Sequence, residues 1–450
     1  MMFQRILIAN RGEIAVRIIR ACQEMGIETI AVYSEADKDS LHVKLADHKV
    51  CIGPAPATKS YLNMNQILSA ALMMKADAIH PGFGFLSENA EFARICEEIG
   101  IKFIGPNSEA IRKLGHKSTA KMLMKAHGVP VIPGPEGTYN DPAKALEAAY
   151  EVKFPVIIKA ASGGGGRGIR VIKTPGEFTA LFLEASQEAK NAFGDPDMYI
   201  EKFFEHPKHI EFQIIADEHG TCLSLGERDC SSQRRKQKIV EESPSPVISP
   251  KQRQRIGEVL TNALAKIGYW NAGTVEFLYE NGEFFFMEVN TRIQVEHPVT
   301  EMVTGLDLIQ TQIQVAMGEP LPFTQEDIVS RGWAIEARIN AEDPARNFMP
   351  SAGKIESLRF PGGNGVRIDS AMFPGAVIPP HYDSMIAKII VWDHTRDRAI
   401  ARMIRAIHEL AIEGVKTNKD FVLKILTSEE FIGGEYSINF VENRLLAKPA

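Results

Sequence analysis

Cysteine is scarce: Cys22, Cys51, Cys96, Cys222 and Cys230 are scattered through 450 residues, odd in number and without a CxxC pair. That excludes a disulfide framework and a zinc site of paired thiols, and the expectation is a reduced, cytoplasmic chain. Long hydrophobic runs are missing too. No stretch approaches the ~18 apolar residues that a membrane span needs. The opening MMFQRILIANRGE soon turns charged, so no signal peptide is expected. Positive charge is not in surplus, since 51 Lys and Arg against 57 Asp and Glu leave −6. Bulk binding of nucleic-acid phosphates needs the opposite sign, so any anion site has to be a local exception. HPKH (206–209) is an HxxH pair with no second ligand pair near it in sequence.

Two common phosphate signatures are also lacking. Gly12 alone occupies the first strand-to-helix turn, so there is no GxGxxG there, although Glu35 ends the second strand as in nucleotide-binding folds. GHKS (115–118) is only a near miss for a P-loop.

What is present is an ordinary globular composition, 44% hydrophobic and 24% charged. At roughly 150 residues per domain the length suggests about three domains. In the first hundred residues short apolar strands (RILIAN, ETIAVYS, VCIG, AIHPG, KFIGP) alternate with amphipathic helices. Ile14, Ile18, Ala21 and Met25 fall on one helical face. That alternation predicts a parallel sheet covered by helices. A helical stretch runs from about Glu109 to His127, and GVPVIPGPEGTYNDP marks a loop or boundary. From there to about Asn290 the strands read as mainly antiparallel. From Trp333 onward strands mix with two terminal helices, one with Ile400, Ile404, Ile407 and Ala411 along a face.

Three segments carry chemistry. PVIIKAASGGGGRGIRVIK contains a GxGxxG (Gly163, Gly165, Gly168), but a strand rather than a helix follows it. A glycine-rich loop between antiparallel strands can fold its N–H groups over triphosphate oxygens, with Lys159 beside them. GTVEFLYENGEFFFMEVNTR reads as a hairpin in which Glu276, Glu288 and Asn290 interrupt an apolar pattern, an oxygen set suited to Mg²⁺. For those three to share a face, a three-residue loop (Glu280 to Gly282) has to pair 279 with 283. GERDCSSQRRKQK concentrates Arg228, Arg234, Arg235, Lys236 and Lys238 as a local anion trap. In the following NTRIQVEHPVTE, Arg292, Gln294 and Glu296 project on one side if the segment is extended. A guanidinium, an amide and a carboxylate so aligned can hold a small oxyanion and move its proton. Arg338 adds a second guanidinium.

IANRGEIAVRIIRAC, HPGFGFLSEN, KAASGGGGRG, GERDCSSQRR, VEFLYENGEFFFMEVNTRIQVEHPVTE, RINAED and HYDSM together resemble the biotin carboxylases, the ATP-grasp component of biotin-dependent carboxylases. The resemblance covers nearly the whole chain. It implies a multidomain α/β and α+β fold: a Rossmann-like N-terminal domain (1–114), an ATP-grasp domain (115–331) with a mobile glycine-loop lid at about 131–204, and a mixed C-terminal domain (332–446). The implied reaction is carboxylation of the biotin ureido nitrogen by bicarbonate and ATP, through carboxyphosphate.

By the same resemblance, Lys117, Lys159, Gly165 and Gly166 contact ATP phosphates. Glu201, Lys202, Phe203 and Phe204 frame adenine through backbone groups, and His209 and Gln233 contact the ribose side. Glu276, Glu288 and Asn290 bind Mg²⁺ or Mn²⁺, two ions. Lys238, Arg292, Gln294 and the Val295 amide hold bicarbonate, Glu296 is the base, and Arg338 stabilises the biotin enolate. Lys236 stands near the nucleotide where the family commonly has His, and Phe83 near biotin where it often has Tyr. The lid is expected to be open or poorly ordered without nucleotide. No Met-Lys-Met carrier motif or carboxyltransferase domain is present, so biotin is expected on a separate carrier protein. The implied setting is a cytoplasmic homodimer acting with carboxyltransferase subunits, as in fatty-acid-synthesising acetyl-CoA carboxylase, with acetyl-CoA, another acyl-CoA and pyruvate all open as the final acceptor and no nucleic acid or membrane partner. Competing readings are another ATP-grasp carboxylate ligase and a non-catalytic nucleotide-binding relative.

Overall fold

The computed structural model describes residues 2–161 and 168–447. Five parallel strands form the first sheet, in the order His48–Cys51, Glu28–Tyr33, Arg5–Ile8, Ala78–His80, Lys102–Phe103. Its central strands are apolar without alternation because helices cover both faces. The helix Gly12–Glu24 buries Ile14, Ile18 and Ala21, as the 3.6-residue period predicts, and stops at Met25. Asn63, Asn89 and Asn107 cap later helices by accepting from Gln66, Phe92 and Ala110 amides. The stretch expected to be helical from about Glu109 to His127 is two helices, Ser108–Gly115 and Lys117–Ala126, broken at His116.

The second sheet has eight strands, in the order Glu283–Asn290, Asn271–Glu280, Lys208–Ala216, Cys222–Arg234, Gln237–Ser243, Trp333–Asn340, Met385–Asp393, Val366–Ser370. Val240 faces Ala337 and Ala337 faces Ile389, so strands from both sides of residue 331 share one ladder. The strands of residues 130–290 pair antiparallel, as expected, but tight turns do not make all of their connections. Helices Pro142–Val152, Pro175–Phe193 and Pro250–Ile267 intervene. Each begins with proline after Asp141, Thr174 or Ser249, and a capping residue followed by proline is a readable helix start. Ala411 also leaves its expected helix. That helix ends at Glu409, and Ala411 opens a short strand on Ser357–Arg359.

Two compact units emerge. The larger holds the residues up to Val129, Lys208–Phe277 and everything from Glu288; the smaller holds Pro130–Pro207 and the hairpin tip Leu278–Met287. The smaller unit is an antiparallel sheet of Ile169–Ile172, Val156–Ala160 and Met198–Lys202, backed by Phe178 and Phe182. The strands flanking the glycine loop are thus antiparallel, as expected; residues 162–167, with Gly165 and Gly166, lie outside the described residues.

The hairpin overturns one expectation. Its strands end at Glu280 and resume at Glu283, leaving a two-residue turn with Asn281 at φ 53° and Gly282 at φ 86°. Tyr279 faces Phe284 at 4.8 Å between ring centroids, which fits 280 opposite 283 rather than 279 opposite 283. Asn-Gly adopts both left-handed conformations easily, and such a turn matches strand twist. Among the described residues no helix is long and apolar enough to cross a membrane.

Candidate active site

The larger unit gathers charge that its strands carry one residue in two. His209, Glu211 and Gln213 alternate along Lys208–Ala216, and Thr274 and Glu276 along the neighbouring strand. All five are buried, an unusual load for a sheet interior. Arg228, wholly buried, ties them together: it donates to Glu211 at 2.5 Å, Gln213 at 2.7 Å, Thr300 at 2.9 Å and Thr274 at 3.2 Å.

Lys238 stands at the centre. Its ammonium lies 2.6 Å from Glu296, 2.7 Å from Glu211 and 3.1 Å from Glu276. The other oxygen of Glu296 accepts from Arg338 at 2.9 Å, and Arg338 is also paired with Glu241. Glu276 accepts from Asn290 and Gln294, each at 2.9 Å, and meets His209 at 3.0 Å. Gln294 in turn accepts from Arg292 at 2.8 Å, and Arg292 pairs with Glu88 at 2.9 Å. An unbroken chain therefore runs from Arg338 through Glu296, Lys238, Glu276 and Gln294 to Arg292, and both arginines serve one site. Extended geometry is not the cause. Glu296 caps the helix His297–Thr304 at φ −82°, ψ 11°, so the expected i, i+2, i+4 projection gives way to a turn. Asn290 likewise reaches Glu276 although the two-residue hairpin turn, counted strictly, sets them on opposite faces; the alternation is lost by the strand end.

Electrostatics divide the carboxylates. Burial pushes Glu296 up, but Lys238, Arg338 and Arg228 outweigh it and hold the carboxyl well below its ordinary range. Glu276 is likewise held low, burial being outweighed by Lys238 and His209. Glu241 is pushed up to about 7 by burial, with Arg338 opposing and Glu296 adding to the rise. Glu13, on the first helix, is pushed up to about 7 by burial, against Lys388, which stands 3.1 Å away. A carboxyl raised in the folded state keeps a proton that the unfolded chain loses first. Glu13 therefore withdraws stability as pH rises from about 4.5 to 7. Glu13→Gln should gain roughly 3 kcal/mol on the wild type across that window, with no further change above it, in urea unfolding at pH 5 and 8.

The remaining expected residues are dispersed. Lys117 opens a helix and pairs with Glu288 at 2.8 Å, its side chain 82% exposed. The cationic run splits: Lys238 and Arg228 enter the site, Arg234 stacks on Phe348, and Arg235 and Lys236 form an exposed turn at positive φ. Gln233 is buried opposite Lys238. Phe83 lines a cavity of about 390 Å³ with Arg11, Val295, Tyr382 and Met385. In the smaller unit Lys159 pairs with Glu201 at 2.7 Å, and Phe204 packs on Phe285. The Lys202 and Phe203 amides already donate to Pro133 and Pro155 carbonyls, so neither N–H is free for a base edge.

The carboxylates and amide of Glu276, Glu288 and Asn290 are hard oxygen donors that suit Mg²⁺, but the two-residue turn does not give them the shared face expected: Glu276 and Asn290 meet, while Glu288 pairs with Lys117. His209, Glu211 and Glu276 also bring ligand atoms within 4.8 Å of one another, which gives the second HxxH histidine one partner two residues on and one far off in sequence. Sequence reasoning passed over Glu211, Glu241 and Lys388. The polar alternation H-I-E-F-Q inside an apolar strand was the available signal for Glu211, and the lone lysine in MIAKIIVW for Lys388; Glu241 stands with Glu242 as counter-charge directly after the cationic run.

Comparison with known proteins adds the following. Residues 2–111 match the family described as biotin carboxylase, N-terminal domain. Residues 116–324 match carbamoyl-phosphate synthase L chain, ATP binding domain, and 336–443 match biotin carboxylase C-terminal domain. "Biotin carboxylase 1" of Bacillus subtilis is 55% identical over 443 residues, 98% of each chain. The solved biotin carboxylase domain of a thermophilic 2-oxoglutarate carboxylase bound to bicarbonate superposes with TM-score 0.95 at 46% identity, covering 99% of each chain. The dimer of that domain from Hydrogenobacter thermophilus, with MgADP, ADP and bicarbonate, gives TM-score 0.90 at 46% identity over 100% of each chain.

Proposed function

The chain belongs to the biotin carboxylase family, and from that premise we propose how its residues divide the ATP-dependent carboxylation of biotin. The fold is a parallel-sheet N-terminal domain, an ATP-grasp domain and a C-terminal domain, and the activity is that of an ATP-dependent ligase.

One observation carries the assignment: Glu296, wholly buried, is gripped by Lys238 on one oxygen and Arg338 on the other. An ionised carboxylate among cations is unprotonated and so available, but it is a weak base while they hold it. Bicarbonate occupies the ground between Lys238, Arg292, Gln294 and the Val295 amide, and its negative charge draws the cations off Glu296. The carboxylate thereby becomes a stronger base and takes the bicarbonate proton. The oxygen so freed attacks the γ-phosphorus of ATP, and the bond to ADP breaks. Carboxyphosphate then divides into CO₂ and phosphate. Phosphate takes the proton from the biotin nitrogen, which bonds to CO₂, while Arg338 stabilises charge on the ureido oxygen.

Lys117, Lys159, Gly165 and Gly166 are assigned to the phosphates, and Glu201 to Phe204, His209, Gln233 and Lys236 to the nucleoside. Glu276, Glu288 and Asn290 would hold magnesium or manganese, two ions, which neutralise charge on the transferring phosphoryl oxygens. Phe83 would face biotin. The biotin is presented by a carrier protein, its carboxyl group passes on to a carboxyltransferase, and the working form is a homodimer.

ADP release, measured with free biotin and bicarbonate present or omitted, tests this. Turnover needing bicarbonate and stimulated by biotin is expected. Turnover only with a different carboxylic acid would move the chain to another ATP-grasp ligase, and ATP binding without turnover would leave a non-catalytic relative.

A further inference from the structure

Two carbonyls in the turn before Glu296 are each held by a buried side chain that takes no part in the scheme above. The ring nitrogen Nδ1 of His297 lies 2.8 Å from the Gln294 carbonyl. A carbonyl only accepts, so Nδ1 carries the proton. The Lys388 ammonium, also wholly buried, donates to the Val295 carbonyl at 2.8 Å and stands 3.1 Å from Glu13 and 3.8 Å from Asp369. Lys388 occupies the rung of the eight-stranded sheet opposite Arg338 on one side and Asp369 on the other. Two cross-strand neighbours thus grip successive residues: Arg338 takes the Glu296 carboxylate and Lys388 the Val295 carbonyl.

A peptide unit is planar and trans, so its N–H points opposite to its C=O. Fixing the Gln294 carbonyl aims the Val295 N–H, and fixing the Val295 carbonyl sets the plane that leads into Glu296. Val295 is pinned on both sides. We propose that Lys388 and His297 are positioning residues that aim the Val295 amide and the Glu296 carboxylate at the same anion. Burial, then Lys388, Arg17 and Arg367, hold His297 well below its ordinary pKa, so it stays a neutral donor. The buried cost of Lys388 is met by Glu13 and Asp369, which come from the first helix and the last strand of the sheet. Aiming, rather than charge supply to the substrate, gives a role to a buried lysine whose contacts are the Val295 carbonyl, Glu13 and Asp369.

This inference rests on the assignment of bicarbonate to Arg292 and Val295, and the test separates the two. Bicarbonate-dependent ATP cleavage is measured with Lys388→Met, His297→Asn and His297→Leu, reading KM for bicarbonate and for ATP. Asparagine can place an amide N–H where Nδ1 stood; leucine cannot. Lys388→Met and His297→Leu should raise the bicarbonate KM about tenfold, the size of one lost charge-assisted contact. The ATP KM should stay within about twofold, and His297→Asn should recover most of the loss. An unchanged bicarbonate KM, an ATP KM rising in step, or an asparagine variant no better than leucine overturns the proposal. If Lys388→Met does not fold, the two His297 variants decide it. Wild-type cleavage that ignores bicarbonate would instead overturn the functional assignment itself.

Discussion

Glu296→Gln removes biotin-dependent turnover by ~10²–10⁴-fold, the range of a lost general base, and leaves ATP affinity nearly unchanged. The substitution keeps shape and one acceptor oxygen but offers no lone pair basic enough to hold a proton. Folding should tolerate it. Lys238, Arg228 and Arg338 face Glu211, Glu241, Glu276 and Glu296, three cations against four carboxylates, so neutralising one carboxylate evens the balance. Single-turnover ATP cleavage beside equilibrium ATP binding checks both halves. Residual turnover within tenfold of wild type would place the base elsewhere, and a matching loss of ATP affinity would make Glu296 a structural residue.

Arg228→Met should be the most damaging single change for stability, costing ~3–5 kcal/mol, because it leaves the buried Glu211 carboxylate to Lys238, which Glu276 and Glu296 already share. Arg228 satisfies Glu211, Gln213, Thr274 and Thr300 with one guanidinium and has no exposed surface. Methionine fills much of the volume but leaves four polar groups without their donor. It also removes one of the cations that hold Glu296 ionised. The urea-unfolding midpoint reads the loss. Arg228→Met combined with Glu211→Gln should recover part of it, since the penalty lies largely in the uncompensated charge. A midpoint equal to wild type would show that Lys238 alone satisfies Glu211.

Much of this molecule is legible in local pattern. Period-3.6 apolar spacing marks Gly12–Glu24, apolar runs mark the parallel strands, and Asp141, Thr174 and Ser249 before proline announce helices that a strand-weighted reading overlooked. The hairpin shows a conflict of signals. The wish to bring Glu276 and Glu288 to one face favoured an odd loop, yet Asn281-Gly282 is a two-residue turn by its own chemistry and prevails. Charge runs are the least faithful signal. Five cations lie within eleven residues, but the register shifts between Asp229 and Gln233 and the turn at Arg235 send only Arg228 and Lys238 to the site.

The sequence alone determined the family and most of the strands and helices, because these follow from motifs and from neighbours a few positions apart. Tertiary structure alone decided that Arg338 and Lys238 share Glu296, that Lys388 reaches Val295 and that Glu211 belongs to the same cluster. Those pairings join strands tens to hundreds of residues apart. Burial then sets which carboxyls stay charged, and neither register nor burial is written in any local stretch.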